Sequence, residues 1–323
     1  MLRAFACCAT LLFANASLAQ GAGAALSWPA KPIHFVVAFA PGGPADIIGR
    51  LAGQKLTEIL GQPVIVESRG GAGGNIGAAA VAKSAPDGYT ALVTTPAFAT
   101  NVSLFQNPGY DPERDFIPVA VVAKQPNLIF VHPSLPAHTL AELLGLAKRT
   151  KLAFASPGSG TTPHLTAENL FNVISKLDMT PIHFRGAGPA IAAVVGGEPP
   201  VGAGAVSTPL PHVKAGRLRA LAVSSATRMA ALTDVPTLGE AGFPGMEDYT
   251  WIGIFFPAGT PAAIVQKLNE SINQALHSPD LLGRLDALAF EPVGGTQQQF
   301  ADYVKAEIVK WGKVVRDGNI KAE

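Results

Sequence analysis

Cysteine is nearly missing from this chain of 323 residues: Cys7 and Cys8 are the only two, and both sit in an N-terminal apolar run. Removal of that run excludes disulfides, thiolate nucleophiles and cysteine metal ligands together. Charge is also scarce. Asp, Glu, Lys and Arg make up 15% of residues, 24 basic against 23 acidic, so the expected partner is a small molecule and not a nucleic acid or an anionic membrane. No stretch reaches the roughly 18 uninterrupted apolar residues of a membrane-spanning helix. Gly-x-Ser-x-Gly elbows and His-Glu-x-x-His pairs are absent, and the seven histidines show no metal-ligand spacing. Catalysis therefore has no evident author, and no cofactor or metal is expected. The run Gly71-Ala72-Gly73-Gly74-Asn75-Ile76-Gly77 has the wrong glycine spacing for a dinucleotide loop and lacks the lysine of a phosphate-binding loop.

What is present is a well-cored chain rich in tight turns, with 48% apolar residues beside 34 Gly and 27 Pro. Its length suits two domains of ordinary size. At the N-terminus Arg3 precedes an apolar run from Ala4 to Ala14, followed by Ser17-Leu18-Ala19. This is the layout of a cleaved export signal covering residues 1–19. The cysteine pair stands near the start of the run instead of its end, which speaks against a lipid anchor.

Runs of apolar and β-branched residues alternate with helical patterns at Ile33–Phe39, Val64–Glu67, Tyr89–Thr95, Leu128–His132, Leu152–Ser156, Ile182–Arg185, Leu218–Ser224 and Trp251–Phe256. Continuous apolar strands of this kind belong to parallel sheets covered on both faces, so the expected class is α/β. Helix starts are expected at Pro44 after Gly43, at Ile76 capped by Asn75, and at Thr162-Pro163, Gly188-Pro189, Thr260-Pro261 and Ser278-Pro279. Thr296 with Gln299 forms a capping box. The last helix carries Phe300, Val304, Ile308, Trp311 and Val315 on one stripe. With no repeat and no low-complexity linker, two lobes would be joined by strands crossing near Lys124–Asn127 and Glu247–Thr250.

Three loops that end a strand and feed a helix are rich in glycine or small hydroxyls: Ala40 to Asp46, which follows the strand ending at Phe39, then Ser156 to His164, and Arg185 to Pro189. In open α/β sheets ligands bind beyond the carboxyl ends of the strands. Helix-start N–H groups lack internal partners and carry partial positive charge, so opposed helix starts hold an anion without an arginine. Ser156, Ser159, Thr161 and Thr162 add hydroxyl donors. The bland alternative is strand-to-helix punctuation. Asp46 reads first as a brace of its loop or a partner of the helix dipole, and second as a ligand-amine contact. His164 either donates to a ligand carboxylate or holds the loop, and Arg185 either pairs with a carboxylate or is an ordinary exposed arginine. Thr94 and Thr95 are strand-end candidates for ligand contact.

Taken in order, Trp28-Pro29-Ala30-Lys31-Pro32-Ile33, Pro41-Gly42-Gly43 with Asp46, Gly61-Gln62-Pro63-Val64, the glycine run at 71–77, Pro86-Asp87-Gly88-Tyr89-Thr90, Asp234-Val235-Pro236-Thr237 and Pro257-Ala258-Gly259-Thr260-Pro261 resemble the Bug-type receptors of tripartite tricarboxylate transporters. The resemblance spans the chain beyond the signal. It implies a type II periplasmic binding fold, two lobes each with a mainly parallel sheet flanked by helices, hinged by crossing strands. Lobe 1 would be residues 27–125 with 250–323, and lobe 2 residues 126–249. A carboxylate would be held by backbone amides and small hydroxyls: Gly42, Gly43 and Asp46 match the first-lobe loop, and Ser156, Gly160, Thr161, Thr162 and His164 the second. Phe39, Pro41, Thr94, Thr95, Arg185 and Gly186 complete the expected ligand set. The implied protein is a periplasmic monomer, without enzymatic activity, that binds a di- or tricarboxylate, an amino acid or an aromatic acid and meets membrane transporter subunits. The chain departs from the family pattern at Glu67-Ser68-Arg69-Gly70 and in the glycine- and proline-rich segment from Gly196 to Ala203, so ligand identity does not carry over. Two rivals remain: a hydrolase using Ser156, Ser159 and His164, and a receptor presenting its ligand to a sensor kinase.

Overall fold

The computed structural model describes residues 28–322; the expected signal and both cysteines lie outside the described residues. The first half runs β1 (Ile33–Val37), α1 (Pro44–Leu60), β2 (Val64–Ser68), α2 (Asn75–Ala82), β3 (Thr90–Thr94) and α3 (Ala97–Leu104). The long β4 (Phe116–Val131) leads into the second: α4 (Leu140–Ala147), β5 (Ala153–Ser156), α5 (Thr162–Glu168), β6 (Thr180–His183), α6 (Ala187–Val195), β7 (Val201–Ala205), α7 (Leu210–Lys214) and β8 (Arg219–Val223). The chain then returns through β9 (Tyr249–Pro257), α8 (Ala262–Ala275), α9 (Pro279–Ala287), β10 (Glu291–Gly294) and α10 (Gln297–Asp317).

On β1, Ile33, Phe35 and Val37 share one face and are fully buried, each contributing roughly 1.5–3 kcal/mol, while the other face carries the buried Val36 and the partly exposed His34. The strand lies parallel between β2 and β3, with Ile33 opposite Val64 and His34 opposite Thr90. α1 covers this sheet with Ile48, Ala52 and Leu56, buried at a four-residue spacing. The helix stops at Gly61, whose φ of +69° suits glycine and lets its N–H donate to the Thr57 carbonyl at 3.1 Å.

Each half has a three-stranded parallel block, β2-β1-β3 and β6-β5-β7, and the long strands add antiparallel pairs. β4 belongs to both sheets. From Phe116 to Pro126 it pairs with β9, and from Asn127 to Val131 with β7 and β8. Beyond the hinge its residues alternate between two cores, Ile129 and Val131 on one face, Leu128 and Phe130 on the other. The first lobe has a separate core around Phe35, Phe98 and Phe255. Because β1, β3, β5 and β6 each lead from their carboxyl ends into a helix, the loops after all four meet in the cleft.

Several local expectations shift. The strand β7, Val-Gly-Ala-Gly-Ala, carries little β-propensity; a Cβ on Gly202 would lie 2.4 Å from the Phe130 ring, so packing demands glycine there. β10 and the first half of β4 were not anticipated, the former a short edge strand exposed at Glu291, Pro292 and Val293. β6 begins two residues earlier than expected, leaving Phe184 and Arg185 in the loop. Asn75 is not a cap: Gly74 holds that position, and the buried Asn75 Oδ1 accepts from Asn101 Nδ2 at 2.6 Å. The caps of α5, α6 and α8 fall on Thr161, Gly186 and Pro261. The capping box at Thr296 and Gln299 forms with both of its hydrogen bonds.

Candidate functional site

Three helix starts converge on one small cavity of about 30 Å³. Gly43, Pro44 and Ala45 come from α1, Thr161, Thr162 and Pro163 from α5, and Ala187 from α6. α5 continues without a break into a π-helical turn at Asn169–Ile174. Phe39, Thr95, Pro157, Ala205 and Thr250 complete the wall. Proline at the first or second helical position leaves the N–H groups of Ala45, Asp46, Thr162 and His164 as the first-turn donors of α1 and α5. No charged side chain lines this cavity among the described residues. Its positive potential therefore comes from helix ends, each equivalent to roughly half a charge.

The halves touch. A Cβ on Gly43 would lie 3.7 Å from the Ala187 Cβ, and the Ala40 N–H donates to the Arg185 carbonyl at 3.2 Å. A cavity of this size holds one or two waters, so entry of an organic acid requires the halves to part.

Among the sequence candidates, Phe39, Gly43, Thr95, Thr161 and Thr162 line the cavity. Pro41 and Gly42 are exposed and do not line the cavity. Asp46 braces that turn: its carboxylate accepts from the Gly42 N–H at 2.9 Å, from Arg50 Nε and Nη2 at 2.9 Å, and from Ser68 Oγ at 3.4 Å. Thr94 is buried in β3, and Gly186, with φ +147°, brings α6 against Ala40. Gly160 needs its glycine, since a Cβ there would meet Asn101 Oδ1 at 2.0 Å.

His164 serves the loop. Its Nδ1 accepts from the Gly160 N–H at 3.2 Å, its ring stands edge-on to His183 at 4.6 Å, and burial, reinforced by His183, pushes its pKa down to about 3. The imidazole is neutral, with its hydrogen on Nε2.

The expectation of several free hydroxyl donors needs correction. Ser156, fully buried, donates to the Gly158 carbonyl and accepts from the Gly158 N–H, both at 3.2 Å, while Thr161 donates to the same carbonyl at 2.8 Å. Thr162 Oγ1 sits 2.5 Å from Thr250 Oγ1, which itself donates to Asn127 Oδ1 at 2.8 Å. A hydroxyl has one hydrogen, and in each of these residues it is committed to the protein.

Sequence reasoning missed Thr250 and Ala205. Thr250 sits at the second lobe crossing, and a hinge necessarily borders the cleft it opens. Behind it lies a buried network: Asn127 Nδ2 donates to Asp248 Oδ1 at 2.5 Å, and Thr166 Oγ1 stands 2.5 Å from Asp248 Oδ2 and 2.7 Å from the Thr162 carbonyl. Burial pushes the Asp248 carboxyl up to about 6. Arg185 lines a second, larger hollow beside the cavity. A further hollow of about 500 Å³ is a groove of the second lobe beside β8, walled by that lobe only and sharing no residue with the helix-start cavity.

A family model described as "Tripartite tricarboxylate transporter family receptor" matches residues 48–320. The protein BugT of Bordetella pertussis is 35% identical over 299 residues, covering 91% of each chain. Among solved structures, R. palustris Rpa4515 with adipate is 35% identical with a TM-score of 0.88, covering 92% of this chain and all of that one. MatC from Rhodopseudomonas palustris with bound malate is 34% identical with a TM-score of 0.85, covering 89% of this chain and all of that one.

Proposed function

The chain belongs to the tripartite tricarboxylate transporter receptor family, and from this we propose that it captures a small carboxylate in the periplasm and delivers it to membrane subunits of a tripartite tricarboxylate-type transporter. The family makes it a two-lobed solute-binding receptor. One observation carries the finer reading: helix starts from both lobes open onto one cavity bare of acidic side chains. An anion there gains backbone donors whose fixed orientation needs no reorganisation, and closure excludes water from it. The lobes in this reading are residues 27–125 with 250–323, and 126–249. The carboxylates bound by similar proteins, adipate and malate, are the first solutes to try. One chain supplies the whole cavity wall, so a monomer suffices. The signal-like residues 1–19 support export.

Turnover is not expected. With a pKa near 3, His164 is too weak a base to activate a serine, and the buried Ser156 hydroxyl is held on both sides by Gly158. Native mass spectrometry of protein purified without refolding, followed by calorimetry with the acid found, should give one solute per chain. Gly43→Val, which fills the cavity between α1 and α6, should weaken that binding roughly a hundredfold while leaving the unfolding transition cooperative. Unchanged binding in this variant would remove the cavity from the site, and product formation lost in Ser159→Ala would make the chain a hydrolase.

A further inference from the structure

Asn127, Thr162, Thr166, Asp248 and Thr250 are all buried, and their side chains, with one carbonyl, close a ring of hydrogen bonds between the hinge strands and the start of α5. Thr250 of β9 donates its one hydrogen to Asn127 Oδ1 at 2.8 Å, so the Thr162 hydroxyl, 2.5 Å away, is the donor to Thr250. Asn127 Nδ2 donates to Asp248 Oδ1 at 2.5 Å. The ring closes through Thr166, whose Oγ1 lies 2.5 Å from Asp248 Oδ2 and 2.7 Å from the Thr162 carbonyl oxygen. Every earlier link has a fixed direction. The contact of Asp248 with Thr166 runs either way, and an acid proton decides which.

With a proton on Oδ2 the acid donates to Thr166, Thr166 donates to the Thr162 carbonyl, and each donor round the ring meets an acceptor. Without it, Thr166 turns its hydrogen to the carboxylate and the Thr162 carbonyl loses that donor. The charge matters as much. Thr162 lines the helix-start cavity, two hydrogen bonds from Asp248, and a helix start supplies only about half a positive charge. A full negative charge on Asp248 offsets it.

The charged groups on the surrounding elements leave Asp248 in this role. Lys310 of α10 favours the ionised form but lies 3.9 Å from Glu307, which also accepts from the Trp251 and Trp311 indoles. Lys124 of β4 pairs with Glu291 at 3.3 Å, and Glu168 of α5 accepts from Asn172 at 2.9 Å. His164, also on α5, is neutral with a pKa of about 3. Glu247 and Tyr249 flank Asp248 in the chain, and burial raises the Tyr249 phenol above its ordinary value. At the start of α1, Asp46 is balanced by Arg50 at 2.9 Å.

We propose that Asp248 is a positioning residue for solute capture: its neutral form holds the start of α5 ready for an anion, and the receptor takes up a proton as the solute binds. This rests on the carboxylate reading above. Burial puts the Asp248 pKa at about 6, so at pH 7 the free receptor is mostly ionised there. A bound anion repels that charge and draws the proton back, so affinity is highest in the acid range and falls as pH rises from 6 to 8.

The test is calorimetry of the full mature chain with adipate and with malate at pH 6, 7 and 8, repeated at pH 7 in phosphate and in Tris, whose different ionisation heats count the protons. Binding should be about fivefold weaker at pH 8 than at pH 6, with about half a proton taken up per solute at pH 7. Asp248→Asn should vary by less than about twofold over the range, take up no proton, and bind at pH 8 at least as tightly as wild type does at pH 6. Three results overturn this inference alone: a flat wild-type profile without proton uptake, a variant that binds no more tightly than wild type at pH 8, and a dependence retained in the variant, which would assign the titration to another group such as His183 in the cleft wall. Failure of adipate, malate and the co-purified acid to bind wild type at any pH overturns the carboxylate reading and this inference with it.

Discussion

Asp248 is a buried carboxylate beside the hinge strands, and the hydrogen bonds around it accommodate a neutral acid. Thr166 has a single hydroxyl hydrogen and two acceptors in reach, the Thr162 carbonyl and Asp248 Oδ2. If it donates to the carbonyl, the Asp248 contact is filled by an acid proton donated to Thr166, while Oδ1 accepts from Asn127. Burial pushes the folded pKa up to about 6 from an ordinary 3.8, and the Thr166, Ser224 and Asn127 hydrogen bonds and Lys310 oppose it only in part. Raised folded pKa means that the unfolded chain releases this proton first. The group therefore costs nothing below about pH 4, and stability falls as pH rises towards 6, by an amount of order 3 kcal/mol. Asp248→Asn reproduces the neutral pattern, with its carbonyl facing Asn127 and its amide facing Thr166. In urea unfolding the variant should exceed wild type by roughly 2 kcal/mol at pH 7.5 and match it near pH 4. A variant less stable than wild type at pH 7.5 would show that the ionised acid is the form the hinge holds.

At the scale of elements, what was legible in the sequence was what local chemistry decides. Helix starts follow from small residues before proline, and the expected starts fall within two residues of the observed ones at α1, α5, α6, α8 and α9. The cavity-forming loops were legible for the same reason, because glycine at a strand's end announces close approach. β7 was illegible because its glycines answer to Phe130, about seventy positions earlier in the chain, and no local rule sees that ring. The hydroxyl roles of Ser156, Thr161 and Thr162 were misjudged likewise, since residue type does not reveal that Gly158 and Thr250 already occupy them. The β7 explanation has a direct consequence. In Gly202→Ala the new methyl meets the Phe130 ring at 2.4 Å, an overpacking that should cost roughly 1–3 kcal/mol. Adding Phe130→Leu should recover part of that loss, because contacting residues are energetically coupled. A double variant no more stable than additivity allows would mean that β7 has another reason for its glycine.

At the scale of the whole molecule, the two lobes keep separate cores and share the strands of the hinge, so parting them exposes loop surface without breaking either core. The closed arrangement leaves about 30 Å³ at the helix starts, too little for any organic acid, and a receptor in permanent contact across its cleft would therefore be closed to its solute. Solute entry therefore requires the lobes to part. The 3.7 Å between a Gly43 Cβ and the Ala187 Cβ falls within the span of a disulfide, roughly 3.5–4.5 Å. Outside the N-terminal run the chain has no cysteine to compete, so Gly43→Cys with Ala187→Cys provides a single cross-lobe latch. Oxidation should draw the lobes together, and small-angle scattering should give a smaller radius of gyration for the oxidised protein than for its reduced form. Equal radii in the two forms, with the disulfide verified by thiol titration, would mean that the lobes do not separate in solution and that solute enters by some route other than the hinge.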